Sequence, residues 1–129
     1  MSTSLKVGIF GAGIVGGGVI DLVQRLSGSG RLTMVGASVE IVKVCVQNIE
    51  KTRDIETNAG TKIVTDINEI LNDSSINCVV EVMGGITLAK DVVLTAINNG
   101  KHVITANKAL IAACMSEIQA ALAANPSVR

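Results

Sequence analysis

The chain has 129 residues, eleven basic and eleven acidic side chains, and a single aromatic residue, Phe10. That balance excludes the basic excess of a phosphate-backbone binder, and the missing aromatics exclude a stacking platform for single-stranded nucleic acid or a cage for a cationic ligand. Tyrosine chemistry is excluded too, and the lone histidine, His102, excludes any site built from two.

The length suits one domain over residues 1–129. Hydrophobic residues make up 48%, charged residues 17%, and mean hydropathy is +0.50. No apolar run reaches the roughly 18 residues of a spanning helix, so no membrane partner is expected. Lys6 and the apolar stretch after it imitate a signal peptide, but Gly11, Gly13, Gly16, Gly17 and Gly18 break that stretch and no small-x-small cleavage site closes it. Cys45, Cys78 and Cys114 are odd in number, far apart and set in apolar segments. They read as small buried hydrophobes in a reducing, cytoplasmic setting.

In chain order, residues 5–10 (LKVGIF) read as a strand. Residues 14–27 read as a helix whose Val15, Val19, Leu22 and Leu26 share a face. Residues 41–46 form a second strand and 62–64 a short third. Residues 66–72 form a short helix, with Asp66 and Glu69 at capping-box spacing. A strand over 77–83 (NCVVEVM) precedes a helix over 87–99, which Asn99-Gly100 and Lys101 terminate. A strand over 102–105 follows. Asn107 caps a last helix with an apolar stripe at Ile111, Met115, Ile118 and Leu122, and Asn125-Pro126 ends it.

Near-continuous apolar strands alternating with helices predict an α/β fold with a doubly wound parallel sheet buried on both faces. Five strands are expected, where a full dinucleotide-binding sheet of Rossmann type has six. The last strand is therefore expected to be lacking, with an open edge and an uncovered apolar face that favour a homo-oligomer.

Ligands in such a sheet lie beyond the carboxyl ends of the strands, so the residues leaving each strand are the candidates. After the first come Gly11-Ala12-Gly13-Ile14-Val15-Gly16, a G-x-G-x-x-G between strand and helix. Its glycines suit a tight turn, backbone approach to a pyrophosphate, and close helix packing; the helix N-terminus meets the phosphate charge. Glycines serving helix packing alone would leave Gly16-Gly17-Gly18 unexplained, at about 1 kcal/mol each against Ala. After the second strand, Gln47 and Asn48 stand where an acid for the ribose of NAD is expected. Lys51 and Arg53 could reach the 2′-phosphate of NADP or be solvated loop charges. Gly84 and Gly85 suit close backbone approach to a cofactor, or an ordinary turn. Glu81, inside an apolar strand, needs a partner. Lys108 falls in the first turn of a helix, where the dipole disfavours a cation; beside a nicotinamide or a carbonyl it could hold or protonate an acceptor oxygen, or it could simply face solvent. His102 begins its strand at the opposite edge and reads as structural.

Taken together, VGIFGAGIVGGGV (7–19), VVEVMGG (79–85) and GKHVITANKALIA (100–112) resemble the cofactor domain of homoserine dehydrogenase over nearly the whole chain. That family interconverts aspartate 4-semialdehyde and homoserine with NAD(P)H. The resemblance implies that Gly11, Gly13, Ile14 and Val15 wrap the pyrophosphate, and that Gly84 and Gly85 approach the nicotinamide ribose. It places Thr105 and Lys108 near the nicotinamide, with Lys108 facing the substrate as the catalytic group and no metal. Gln47 stands where NADP-preferring members often carry arginine, so the cofactor is written as NADP or NAD. The resemblance also implies that the substrate and dimerisation domain, with a second lysine and its acidic partner, lies outside these residues, leaving little turnover to this chain alone. The alternative is a non-catalytic dinucleotide-binding module or cofactor sensor completed by another chain. A short-chain dehydrogenase would need a tyrosine, and an S-adenosylmethionine site usually wants an acid after the second strand.

Overall fold

A computed structural model describes residues 3–11, 14–30, 34, 36–47 and 61–129, without the side chains of 3, 14–17, 27 and 28. Strand β1 (Thr3–Phe10) leads into helix α1 (Ile14–Ser29), followed by β2 (Ala37–Cys45) and β3 (Lys62–Val64). Then come α2 (Asn68–Leu71), β4 (Cys78–Glu81), α3 (Thr87–Asn98), β5 (His102–Thr105) and α4 (Lys108–Ala124). The five strands form one sheet in the order β3-β2-β1-β4-β5, every pairing parallel. The strand order reverses between β1 and β4, the expected doubly wound arrangement.

Aliphatic side chains fill both faces. On one, Val19, Ile20 and Val23 of α1 pack on Val7, Ile9, Val44, Cys78 and Val80. On the other, α2 and α3 cover Phe10, Val64 and Val79 through Ile70, Val92 and Ala96. Helix α4 packs on α3 through Leu110, Cys114 and Ile118. The sole aromatic, Phe10, is fully buried. Gly8 has a steric reason: a Cβ there would collide with Ile70 Cγ2. The absent side chain lets α2 lie directly on the central strand.

Of the expected apolar stripes, Val19 packs on the sheet and Ile111, Ile118 and Leu122 pack in the core beside α3, while Leu22 and Met115 do not. On α1, Ile20 and Val23 face the sheet and Leu22 is exposed. On α4 the fully buried line is Leu110, Cys114 and Ile118, while Met115 is exposed. A kink at Cys114 (φ −124°, ψ 20°) breaks the regular period there, and Cys114 is buried where uniform helical spacing put Met115. Strand β2 begins four residues earlier than expected, through a half-exposed segment that pairs with the start of β1. β1 itself starts at Thr3, and α1 runs on to Ser29. β4 is shorter than expected, Cys78–Glu81; Asn77 precedes it and bonds Lys6 of β1 twice, its N–H donating to Lys6 O at 3.0 Å and its Oδ1 accepting from Lys6 N–H at 2.9 Å.

The helix ends differ in the same instructive way. Asn107 caps α4 as expected, its Oδ1 accepting from Leu110 N–H at 3.0 Å. The capping box at Asp66 does not form. Its Oδ1 accepts from Asn68 N–H, two residues on, and Glu69 pairs with Lys62 at 3.6 Å instead. The end of α3 is a Schellman turn, with Gly100 N–H donating to Ile97 O and Lys101 N–H to Ala96 O. Gly100 takes φ +77° there.

Beyond β5 the edge is not left bare. Val103 N–H donates to Arg129 O at 3.0 Å, and Val128 is buried against α4. No sixth strand is present among the described residues, and Ile104 is 58% exposed. The three cysteines are buried and free. Burial, then the charges of Asp66 and Glu69, push the Cys45 thiol up to about 11, so it offers no thiolate at neutral pH. Among the described residues no helix is long and apolar enough to cross a membrane, and no cluster of side chains could hold a metal ion.

Polar tethers join the amino-terminal ends of the strands. Lys101 is buried, and its Nζ donates to Asp73 O at 2.7 Å and Ile76 O at 2.6 Å. Burial pulls its pKa down. Asp73 Oδ1 accepts from the Ser75 hydroxyl at 2.6 Å, and Oδ2 pairs with Lys43 Nζ at 3.0 Å. Those two bonds, with Ser75 N–H, lower the Asp73 carboxyl from 3.8 to about 2. A carboxyl held below its unfolded value stabilises the fold above that value and loses the contribution as pH falls through the folded one. Asp73→Asn is therefore expected to cost ~1–2 kcal/mol at pH 7. The gap to the unaltered chain should shrink from pH 3.8 downward and close near pH 2. Denaturant melts at pH 7 and pH 2.5 check this; a gap of equal size at both rejects it.

Candidate functional site

The chain leaves β1 through Gly11, at φ +100°. Its N–H donates to Cys45 O at 2.9 Å, and Val82 N–H donates to Phe10 O at 3.0 Å. The ends of β1, β2 and β4 are thus tied at one point. A Cβ at Gly11 would stand 2.9 Å from Val82 O, closer than real side chains approach. Glycine is needed here both for its backbone angle and for space. Helix α1 then opens at Ile14, so the G-x-G-x-x-G lies between a strand and a helix N-terminus, the context that gives the motif its meaning. Val15 and Gly16 lie in its first turn. Gly13 lies outside the described residues, as do Asn48, Lys51 and Arg53. Gln47 is exposed, in a bend just past β2. Close packing does not account for the whole glycine run, since a Cβ at Gly18 would meet nothing within 4 Å.

Beside this turn, past the carboxyl ends of β4 and β5, a cavity of about 330 Å³ is lined by Val82, Met83, Ala106, Asn107 and Lys108. Lys108 is exposed in the first turn of α4 and makes no ion pair among the described residues. Its ammonium is therefore available to a ligand in the cavity. Gly85 takes φ +81°, whereas Gly84 has no such requirement, and a Cβ at Gly84 would meet nothing within 4 Å.

The buried acid in β4 finds its partners here. Glu81 is fully buried. Its Oε1 accepts from Asn107 Nδ2 at 3.2 Å and its Oε2 from the Thr105 hydroxyl at 3.4 Å. Asn107 Nδ2 also donates to Gly85 O at 2.6 Å, and Asn107 N–H donates to Thr105 Oγ1 at 3.0 Å. The Thr105 hydroxyl is thus engaged within the protein, and Lys108 is the charged residue among the described ones that line the cavity. Sequence reasoning treated Asn107 as a cap alone. The signal that could have revealed more was the unpartnered Glu81, whose strand runs beside the one that ends at Thr105.

The chain-reversal point of a doubly wound sheet, a glycine turn into a helix, and an open crevice with a free lysine define a dinucleotide-binding domain. They fit a dinucleotide physically: the glycine turn brings backbone to the strand ends, and Gly84 leaves room that no atom of the described residues fills.

Comparison with known proteins gives the family. Residues 11–127 match the family model for the NAD-binding domain of homoserine dehydrogenase. The homoserine dehydrogenase of Methylobacillus glycogenes is 41% identical over 112 residues, which is 87% of this chain and 26% of that protein. That of Bacillus subtilis is 34% identical over 117 residues, 91% of this chain and 27% of the relative. The crystal structure of a homoserine dehydrogenase from Thiobacillus denitrificans superposes with a TM-score of 0.86 at 35% identity, covering 98% of this chain and 28% of that one. The chain belongs to the homoserine dehydrogenase NAD-binding domain family, and its cofactor is NAD or NADP. It spans about a quarter of the length of the curated relatives it matches.

Gly84 offers a clean separation of ligand from fold. Gly84→Ala is expected to leave the melting temperature within about 2 °C, surface substitutions being worth about 0.5 kcal/mol or less. Affinity for the reduced cofactor should fall about ten-fold or more, as for an added group meeting a ligand. Thermal melts and cofactor titrations of the same sample check both halves; unchanged affinity would show that no ligand uses that space.

Proposed function

We propose that this chain is the cofactor-binding part of a homoserine dehydrogenase, which reduces aspartate 4-semialdehyde to homoserine with NADPH or NADH. The observation that carries the reading is Lys108, a lysine without an ion-pair partner among the described residues, on the cavity wall at the strand ends. Bound NAD(P)H supplies the hydride. The chain's own groups bind and orient. Gly11, Gly13, Ile14, Val15 and Gly16 receive the pyrophosphate, and Gly84 and Gly85 adjoin the nicotinamide ribose. Thr105 shapes the wall beneath it. Gln47, Asn48, Lys51 and Arg53 border the adenine ribose and its 2′ position. Lys108 holds the aldehyde oxygen and stabilises the negative charge that develops on it, as an ammonium in a water-poor site can. A cation at a helix N-terminus is locally unfavourable, which suits a group kept for a ligand.

The substrate pocket is completed by residues beyond these, so the isolated 129 residues bind cofactor and turn over little. Three buried free thiols fit a reducing, cytoplasmic setting. Exposed Ile104 on β5, with exposed Leu22 on α1, supports a homo-oligomer. A sizing column at two concentrations, a hundred-fold apart, should show the apparent mass rising with concentration; a constant monomer mass rejects assembly.

The activity is tested in two stages. NADPH and NADH are first titrated into the chain and followed by their own emission, against almost no background because there is no Trp. Gly13→Val should abolish that binding. The chain then replaces the matching segment of the Methylobacillus glycogenes enzyme. The hybrid should reduce aspartate 4-semialdehyde, and Lys108→Met in it should lower kcat on the order of 10²–10⁴-fold. A hybrid indifferent to Lys108→Met, or strong turnover by the isolated chain, rejects the reading.

A further inference from the structure

We infer that Asn107 is a positioning residue for the nicotinamide half of the cofactor, acting through the turn at Gly84-Gly85 and anchored on the buried Glu81. This rests on the proposed cofactor site. Asn107 lies on the cavity wall after β5, with Ala106 and Lys108, and faces the wall after β4, where Val82 and Met83 lead into the glycine turn. Every polar group of its side chain is engaged. Nδ2 donates to both Glu81 Oε1 and Gly85 O, and Oδ1 accepts from Leu110 N–H. The cap needs only the oxygen. The two Nδ2 bonds do nothing for the helix; they pull the Gly85 carbonyl toward the start of α4.

The 2.6 Å bond to Gly85 O is the shortest of the set. It fixes a carbonyl in a residue at φ +81°, next to a Gly84 whose open side meets no atom of the described residues. Lys108 follows Asn107 directly. One side chain therefore ties the glycine turn, which continues directly from the cavity-lining Val82 and Met83, to the residue before Lys108 on the opposite wall. Glu81 holds that amide in place. It is fully buried, and its oxygens meet only Asn107 and Thr105 among the described residues. Thr105 closes the circuit by accepting from Asn107 N–H.

Two variants separate capping from positioning. Asn107→Ser keeps a capping oxygen and loses both Nδ2 bonds. The exchange Glu81→Gln with Asn107→Asp restores a hydrogen bond between positions 81 and 107 and keeps a good cap. It cannot donate to Gly85 O, because position 107 then offers only acceptors. Each protein is titrated with the reduced cofactor that the unaltered chain binds more tightly, and with the matching ADP-ribose fragment that lacks the nicotinamide. Melting temperature and the emission of the bound nicotinamide are recorded alongside.

Both variants should bind the reduced cofactor about ten-fold more weakly, the scale of one lost hydrogen bond. Both should bind the fragment unchanged within about two-fold, with the emission gain on binding reduced. The exchange should recover the melting temperature lost in Asn107→Ser without recovering cofactor affinity. Equal weakening of cofactor and fragment overturns the inference, since the network would then serve the fold alone. So does unchanged cofactor affinity, or affinity recovered by the exchange together with stability. If the unaltered chain binds neither ligand, the cofactor site itself is wrong and the inference falls with it, an outcome distinct from the others.

Discussion

The turn at Gly11 passes so close beneath the end of β4 that a single added carbon would sit 2.9 Å from the Val82 carbonyl. The architecture of the ligand edge depends on that approach. Because Gly11 fits, its N–H reaches Cys45 O and Phe10 O receives Val82 N–H, so three strands end together. Because they end together, the chain can diverge there, one connection going to α1 and the other to the loop of Gly84 and Gly85. The cavity lined by Val82, Met83, Ala106, Asn107 and Lys108 lies beside that junction.

Two buried ionisable side chains mark opposite ends of the sheet and do the same kind of work. Glu81, at the carboxyl end, receives bonds from Asn107 and Thr105. Lys101, at the amino end, donates to two carbonyls in the loop before β4. Both groups would be costly if left unsatisfied. Each instead ties an irregular segment to the regular sheet, where aliphatic packing has little purchase. The strands and helices are held by Val, Ile and Leu, the loops at either end by buried hydrogen bonds.

Much of this was legible beforehand. Apolar runs at 7–10 and 78–80 announced buried parallel strands, and the G-x-G-x-x-G after the first announced the helix that follows it. Asn107 and Gly100 were readable because a cap and a Schellman turn depend on local geometry alone. What failed was whatever depended on a distant contact. Leu22 belongs to an apolar stripe by spacing, yet lies beyond the sheet; Met115 lost its place to Cys114 through a kink. Asp66 and Glu69 had capping-box spacing, but Lys62 offered Glu69 a better partner across the fold. Gly8 is required by Ile70 of α2, a contact that no local pattern announces. The partner of Glu81 could not be named, because it lies across a strand pairing and at the start of another helix.

The parallel pairing of β1 with β4 has a kinetic consequence. The bonds that align them join residues such as Lys6 and Asn77, 71 positions apart. Closing a loop of that length costs about 4 kcal/mol in chain entropy by the logarithmic rule, before any contact between the strands returns it. Helices α3 and α4 with β5 are local in sequence and can assemble without that closure. The glycine turn at Gly11, which needs β1 and β4 side by side, therefore forms only once that long loop has closed. A ligand that uses the turn binds the finished molecule and stabilises it.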